Sequence, residues 1–286
     1  MANIVITGAS RGIGLATALE LSRAGHQVIA TMRNPASSPE LGQIAETDSL
    51  PIRIEAMDVD SDASVNACFS RIHSQVAVDG LVNNAGVERF GAVEETPLAE
   101  FRRCMETNYF GSIRCIQAVA PGMRSRGHGT IVNVTSVAGK ISVAPMAPYA
   151  ASKSAIEAMS EALAQEMKAF GVRVAIVEPG IIDTRMARNI EALPSSTVYP
   201  HTKRIAALFK ASLAGGAATP GMVAEKIREV IESGTWQLRH AASPDAQPFL
   251  GWRASLTDEQ WVDWGALDEK AWVAAVKRDF GMDVVL

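Results

Sequence analysis

Tyr149 and Lys153 stand four residues apart in a segment of helical periodicity, so their side chains share one face. A free phenol has a pKa of about 10 and is a poor base at neutral pH. A neighbouring ammonium favours the phenolate, so Lys153 is expected to lower the Tyr149 pKa while also offering hydrogen bonds to a ribose. Ser136, just past an apolar run, is placed to polarise and orient a substrate oxygen. Asn108, inside a long helical pattern, could hold a water that relays protons. Together these groups suit general acid–base chemistry at a carbonyl or an alcohol. A Tyr/Lys pair alone would read as a solvated helix face, and its weight comes from the company it keeps.

The second group of residues is Thr7-Gly8-Ala9-Ser10-Arg11-Gly12-Ile13-Gly14, between an apolar run and a helical pattern. Glycines here let the backbone turn tightly and approach a pyrophosphate, and the helix N-terminus offers free N–H groups and a favourable dipole. The spacing is GxxxGxG, one residue wider than the GxGxxG fingerprint. A purely structural turn is the rival reading, but this one opens a long strand–helix series. Dinucleotide folds that take NAD place an acid after the second strand to hold the ribose 2′-OH. Here that segment reads Thr31-Met32-Arg33-Asn34. Arg33, with Arg11 from the glycine loop, could clamp a 2′-phosphate through the planar guanidinium fork. Both arginines could instead be solvated surface charges. The missing acid and the two cations point to NADP.

The elements that must position these groups alternate along the chain. Strands are expected over residues 3–6, 27–31, 52–56, 80–82, 130–135 and 173–177, with a last one over 235–239. Helices are expected over 13–24, 63–76, 147–170 and 220–232, with one or two more over 97–126. Such alternation predicts an α/β fold, a doubly wound parallel sheet with helices on both faces, in a single domain over 1–286. A Pro/Ser-rich link separates the second and third strands. Residues 181–219, with Ser195-Ser196 and Gly215-Gly216, read as a substrate loop or lid, and 241–286 as a C-terminal extension. All five tryptophans lie in the last 51 residues. Their indoles would pack against the domain or a subunit partner; lining the substrate site is the alternative.

Composition excludes several classes. With 48% hydrophobic and 20% charged residues, the chain has an ordinary globular balance. The net charge of −4 gives no pull toward nucleic acid or anionic lipid. Cys68, Cys104 and Cys115 form no CxxC and read as reduced thiols, while His26, His73, His128, His201 and His240 are scattered, so no metal site is expected. Arg124–Arg126 suits a helix end rather than a nucleic-acid patch. The N-terminus lacks a basic leader and no apolar stretch of about 18 residues is present, so no membrane span and a cytoplasmic location are expected.

The set resembles the short-chain dehydrogenase/reductase family of the single-domain type. The carrying residues are Thr7–Gly14, Asp58-Val59, Asn83-Asn84-Ala85-Gly86, Asn108, Ser136, Tyr149 with Lys153, and Pro179-Gly180, in family order over about residues 3–240. The resemblance implies hydride transfer between NADP(H) and a ketone, aldehyde or alcohol. Ser136, Tyr149 and Lys153 would be the catalytic triad with Asn108 as fourth member, Tyr149 being general acid in reduction and base in oxidation. Cofactor contacts would come from Gly8, Ser10, Arg11, Gly12, Ile13, Gly14 and Arg33, and from Asp58 and Val59 at the adenine. Asn84, Ala85 and Gly86 would line the adenosine and ribose side, and Pro179, Gly180, Ile182 and Thr184 the nicotinamide carboxamide. Met32 occupies the position where NAD-users carry an acid.

Residues 83–186 most resemble the branch holding 17β-hydroxysteroid and retinol dehydrogenases, which suggests a lipophilic ketone or alcohol. Val87, Phe90, Val143, Met146 and Met186 would line its pocket or serve as ordinary packing. The family also suggests a homodimer or homotetramer, with the 97–126 and 147–170 helices as contact surfaces. A regulator that binds NADPH without turnover is the alternative function; an intact Asn–Ser–Tyr–Lys set argues against it.

Overall fold

The alternating apolar runs become one seven-stranded parallel sheet in a computed structural model that describes residues 1–193 and 197–286. The strands are β1 (Asn3–Thr7), β2 (Gln27–Met32), β3 (Ile52–Ala56), β4 (Gly80–Asn83), β5 (Gly129–Val134), β6 (Val172–Glu178) and β7 (Arg239–Ala241). Their spatial order is 3-2-1-4-5-6-7, so the direction of winding reverses between β1 and β4. In such sheets the crevice at that switch, outside the carboxyl ends of the strands, is where ligands bind.

The helices are α1 (Gly12–Arg23), α2 (Glu40–Thr47), α3 (Asp62–His73), α4 (Leu98–Cys104), α5 (Gly111–Arg126), α6 (Ala147–Lys168), α7 (Arg185–Arg188), α8 (His201–Ala214), α9 (Pro220–Glu232), α10 (Ala246–Ala254), α11 (Asp258–Ala266) and α12 (Glu269–Phe280). Strand periodicity divides the core in two. Ile4 and Ile6 of β1 face α1 and α9, packing with Leu21, Val223 and Ile227, while Val5 between them joins Phe69 of α3, Met123 of α5 and Leu163 of α6. Full burial of each large side chain stabilises the fold by about 1.5–3 kcal/mol, which pins the sheet register and with it the loops at its edge.

Three segments differ from the sequence expectation, and a fourth resolves an alternative it left open. The Pro/Ser-rich link holds a 3₁₀ turn (Pro35–Ser37) and α2, whose Leu41 and Ala45 are buried at helical spacing. The 97–126 stretch, expected as one or two helices, is two, α4 and α5, joined by a π-helical turn over Met105–Phe110. Residues 181–219 are not an open loop: α7, a 3₁₀ turn (Asn189–Ala192) and α8 occupy most of the stretch, with Ile205, Leu208 and Phe209 of α8 turned onto hydrophobic neighbours. Ser195-Ser196 lies outside the described residues. The last strand is Arg239–Ala241 rather than 235–239, paired from Ile176 onward with β6. In the tail, α11 and α12 pack on α8, where Arg204 donates to the carbonyls of Gly265 and Leu267.

Candidate active site

A cleft of about 430 Å³ opens at the sheet switch point. The glycine loop forms one end of it. Gly8 has φ +69, and a Cβ there would lie 2.7 Å from Ala85 Cα. At Gly14 a Cβ would lie 2.4 Å from the Gly8 carbonyl oxygen. Only glycine permits this folding of the loop onto itself and onto the end of β4. The junction is fastened by Thr7, whose buried Oγ1 accepts from the N–H groups of Asn84 and Ala85 at 3.0 Å each. Asn84 Nδ2 donates back to the carbonyls of Thr7 and Gly8. Arg11 caps α1 without a side-chain hydrogen bond, which leaves the first N–H groups of the helix for an anion. Arg11 and Arg33 line the cleft and are exposed. Thr184, which lies beside Gly12, also lines the cleft, as do Asp183 and Pro220.

The proton-handling groups stand at the other end. Tyr149 and Lys153, one turn apart on α6, both line the cleft, and the Lys153 Nζ lies 5.6 Å from the phenol ring centre. That ammonium donates to the Val134 carbonyl at 2.9 Å. The Ser136 Oγ accepts from Ala138 N and donates to the Pro179 carbonyl. Burial pushes the Tyr149 phenol well above its ordinary value, the Glu88 carboxylate adds to this, and the nearby Ser136 hydroxyl opposes it. Burial also brings Lys153 down to about 8, against the raising effect of Glu157 one turn further along. Lys153 is not among the groups that shift the phenol; burial dominates the shift and favours the neutral form, so the expected lowering by the ammonium is not seen.

Asn108 also departs from its expected part. Lying in the π-turn, it is fully buried, and its amide is spent on protein: Oδ1 accepts from Val87 N at 2.8 Å, and Nδ2 donates to Val87 O and Ser152 Oγ. It ties the loop after β4 to α6. A Cβ at Gly86 would meet Asn108 Oδ1 at 3.3 Å and Lys153 Nζ at 3.8 Å, so the loop it holds rests beside the lysine.

Of the expected cofactor contacts, Gly8, Ser10, Arg11, Gly12, Ile13, Arg33, Asp58, Val59, Asn84, Ala85, Gly86 and Thr184 line the cleft with Tyr149 and Lys153. Gly14, Pro179, Gly180 and Ile182 do not. Gly14 supports the loop from behind; Ile182 is buried and bridges to Ala218; Gly180 N donates to Ser243 Oγ. Gly180 and Ser136 instead line a second, smaller cavity. Sequence reasoning missed Asp60, Thr107 and Thr135 in the cleft wall, and Glu88, whose carboxyl is pushed up to about 8 by burial near Tyr149. An acid directly after Asn84-Ala85-Gly86-Val87 was the available signal. Among the described residues no group of acidic, histidine or cysteine side chains could hold a metal, and no helix is long and apolar enough to cross a membrane.

A family model described as short chain dehydrogenase matches residues 2–194. The chain belongs to the short-chain dehydrogenase/reductase family. It is similar to human retinol dehydrogenase 8, 38% identical over 203 residues, covering 70% of this chain and 65% of that protein. Among solved structures, a short-chain dehydrogenase from Streptomyces avermitilis superposes with a TM-score of 0.78 at 31% identity, covering 92% of this chain and 96% of the other. A gluconate 5-dehydrogenase from Burkholderia cenocepacia, in complex with NADP and tartrate, gives 0.74 at 25%, covering 86% and 95%. The protein is thus a short-chain oxidoreductase of a nicotinamide-dependent family, related to the retinol dehydrogenase-like branch.

Proposed function

We propose that the protein is an NADP(H)-dependent oxidoreductase that interconverts a ketone or aldehyde and the corresponding alcohol. The observation that carries this reading is the placing of Tyr149 and Lys153 in the same cleft as the glycine loop, with the Ser136 hydroxyl near the phenol. The cradle fits a dinucleotide: an uncapped helix N-terminus, a glycine turn that admits no Cβ, and two exposed arginines without an ion-pair partner among the described residues. Gly8, Gly12 and the α1 N-terminus would hold the pyrophosphate, Arg11 and Arg33 a 2′-phosphate, Asp58 and Val59 the adenine, and Lys153 the ribose nearest the chemistry. A bound reduced nicotinamide supplies the hydride, and an oxidised one accepts it.

In reduction, the Ser136 hydroxyl holds the carbonyl oxygen and Tyr149 gives it the phenolic proton as the carbon gains hydride; oxidation runs the two transfers in reverse. Glu157, held by Thr135, Arg239 and Lys140, favours the charged form of Lys153. Asn108 acts by positioning Gly86 and Val87. Lipophilic substrates fit best: Val87 and Met186 line the cleft, Val143 and Met146 the second cavity. Phe90 packs against Phe209 instead. Exposed Leu98 and Phe110 beside α4 and α5 support a homodimer or homotetramer through that face.

The test is Tyr149→Phe. Loss of a general acid lowers kcat by about 10²–10⁴-fold, while NADPH binding, read by nucleotide fluorescence, is retained. A variant that still oxidises NADPH at the parent rate with a ketone present overturns the proposal.

A further inference from the structure

The C-terminal tail falls outside the matched region of the family, yet its helices wall a cavity that reaches the catalytic serine. This second cavity has a volume of about 100 Å³. Ser136 lines it, and Tyr149 of the large cleft packs with Ala138, Val143 and Met146 of its lining, so the cavity adjoins the proposed proton donor. Five of its lining residues are aromatic side chains of the tail: Phe249 and Trp252 of α10, Trp261 and Trp264 of α11, and Phe280 of α12. No lining side chain carries a charge. Apart from the Ser136 hydroxyl and the indole N–H groups, none has a hydrogen-bonding N or O atom. One indole is already committed, since Trp264 Nε1 donates to Asp279.

The aromatic wall is a mutually supporting array. Trp252 makes edge-to-face contacts with Trp261 at 5.7 Å, Trp264 at 5.1 Å and Phe280 at 4.7 Å between ring centres. Phe249 meets Phe280 edge-on at 5.0 Å. Such pairs contribute about 0.5–1.5 kcal/mol each beyond burial, so the wall is fixed in shape before any ligand arrives. Its hinge to the sheet is equally fixed. The N–H groups of Gly180 and Ile181 donate to Ser243 Oγ and Asp245 Oδ2, tying the end of β6 to the start of α10.

We infer that this cavity is the substrate subsite, and that it takes one aromatic or comparably sized apolar ring attached at the carbonyl carbon. The inference rests on the proposed carbonyl–alcohol chemistry and adds the substrate class. Continuity with Ser136 identifies the occupant as the substrate rather than another protein. Size sets the limit: an apolar cavity of about 150 Å³ is known to hold benzene, and this space is somewhat smaller and open at one side. A polyol has no partner for its hydroxyls here, because each would be desolvated against indole and phenyl faces. A fused multi-ring skeleton exceeds the space.

The experiment compares acetophenone, acetone, dihydroxyacetone and a steroid 17-ketone with the full-length protein, following NADPH and, separately, NADH. Acetophenone is expected to exceed dihydroxyacetone in kcat/KM by about 10- to 100-fold, the value of burying one ring, and to exceed the steroid. Two variants accompany it. Trp252→Leu opens the wall and Val143→Phe fills the cavity from the other side. Both are expected to lower the acetophenone-to-acetone ratio of kcat/KM about 10-fold, chiefly through KM, while NADPH affinity shows that the nucleotide half stays folded. Equal or better turnover of dihydroxyacetone or the steroid, or a ratio untouched by both variants, overturns the subsite and leaves the oxidoreductase reading standing. Absence of turnover with every ketone and with both nucleotides overturns that reading and the subsite with it.

Discussion

Replacing Gly8 by alanine tests whether the glycine loop is built as described. Gly8 sits at φ +69, a conformation that costs a Cβ-bearing residue about 1–2 kcal/mol. The added Cβ also lies 2.7 Å from Ala85 Cα and 3.1 Å from Ala85 N, both backbone atoms that cannot swing aside. Relief requires the loop to move off the end of β4. That movement stretches the two 3.0 Å bonds from Asn84 N and Ala85 N to Thr7 Oγ1. Losing one leaves a buried donor unpaired, at a cost of about 1–3 kcal/mol. The total is about 2–5 kcal/mol, a fall in Tm of about 3–8 °C at this chain length. Gly25→Ala is the matched control. It has φ +90 and nothing within 4 Å, so it carries the conformational cost alone. Thermal unfolding followed by circular dichroism, with NADPH affinity by calorimetry, reads both effects. Gly8→Ala should lower Tm beyond Gly25→Ala and weaken NADPH at least about 10-fold, roughly one lost charge-assisted bond. Equal behaviour of the two variants would refute the packing argument.

Arg33→Asp should weaken NADPH by about 10- to 100-fold, the value of a charge-assisted hydrogen bond, and spare or improve NADH; an unchanged NADPH/NADH ratio of kcat/KM defeats the 2′-phosphate assignment. Asn108→Ala removes an amide that makes three bonds at zero exposure, and is expected to destabilise by about 2–4 kcal/mol. Unaltered thermal unfolding would show that it does not hold the loop. The lysine gives a pH prediction. Its folded pKa of about 8 lies below the free value of 10.5, so its proton leaves as pH rises through about 8. Between those values the unfolded chain binds the extra proton, so this group's contribution to stability grows with pH there. Ketone reduction should decline above about pH 8 as the ammonium is lost. Glu88 also titrates near 8, so the profile is measured in Glu88→Gln as well. A decline that persists there belongs to Lys153, and one that vanishes belongs to Glu88.

The long periodic segments were legible because burial on one face leaves a pattern within the segment itself. The strands from β1 to β6 and the helix carrying Tyr149 appear where that pattern places them. α8 was hidden by its flanks, since Ser195-Ser196 and Gly215-Gly216 read as loop while Ile205, Leu208 and Phe209 carried the helical spacing. The tail had local signals too: Thr257 and Gln260 make a reciprocal capping box, and Asp268 caps α12 through Ala271 N. What no local pattern contains is the partner of a buried amide. Asn108 could be read as a polar group free to hold water until Val87 and Ser152 were seen to take its hydrogen bonds.

The amino-acid order by itself determined the sheet-and-helix alternation, the glycine turn after β1, the missing acid after β2, and the shared helix face of Tyr149 and Lys153. These depend on spacing along the chain and on residue type, both of which are local. Tertiary structure alone decided how those groups are solvated and what faces them. It half-buried the phenol and fully buried the lysine beside it, so that desolvation is the largest influence on both protons. It also brought Trp252, Trp261 and Trp264 across more than a hundred residues of chain to the cavity that Ser136 enters. Both outcomes arise from atoms distant in sequence and close in space, and that proximity is set by the packing of the whole core.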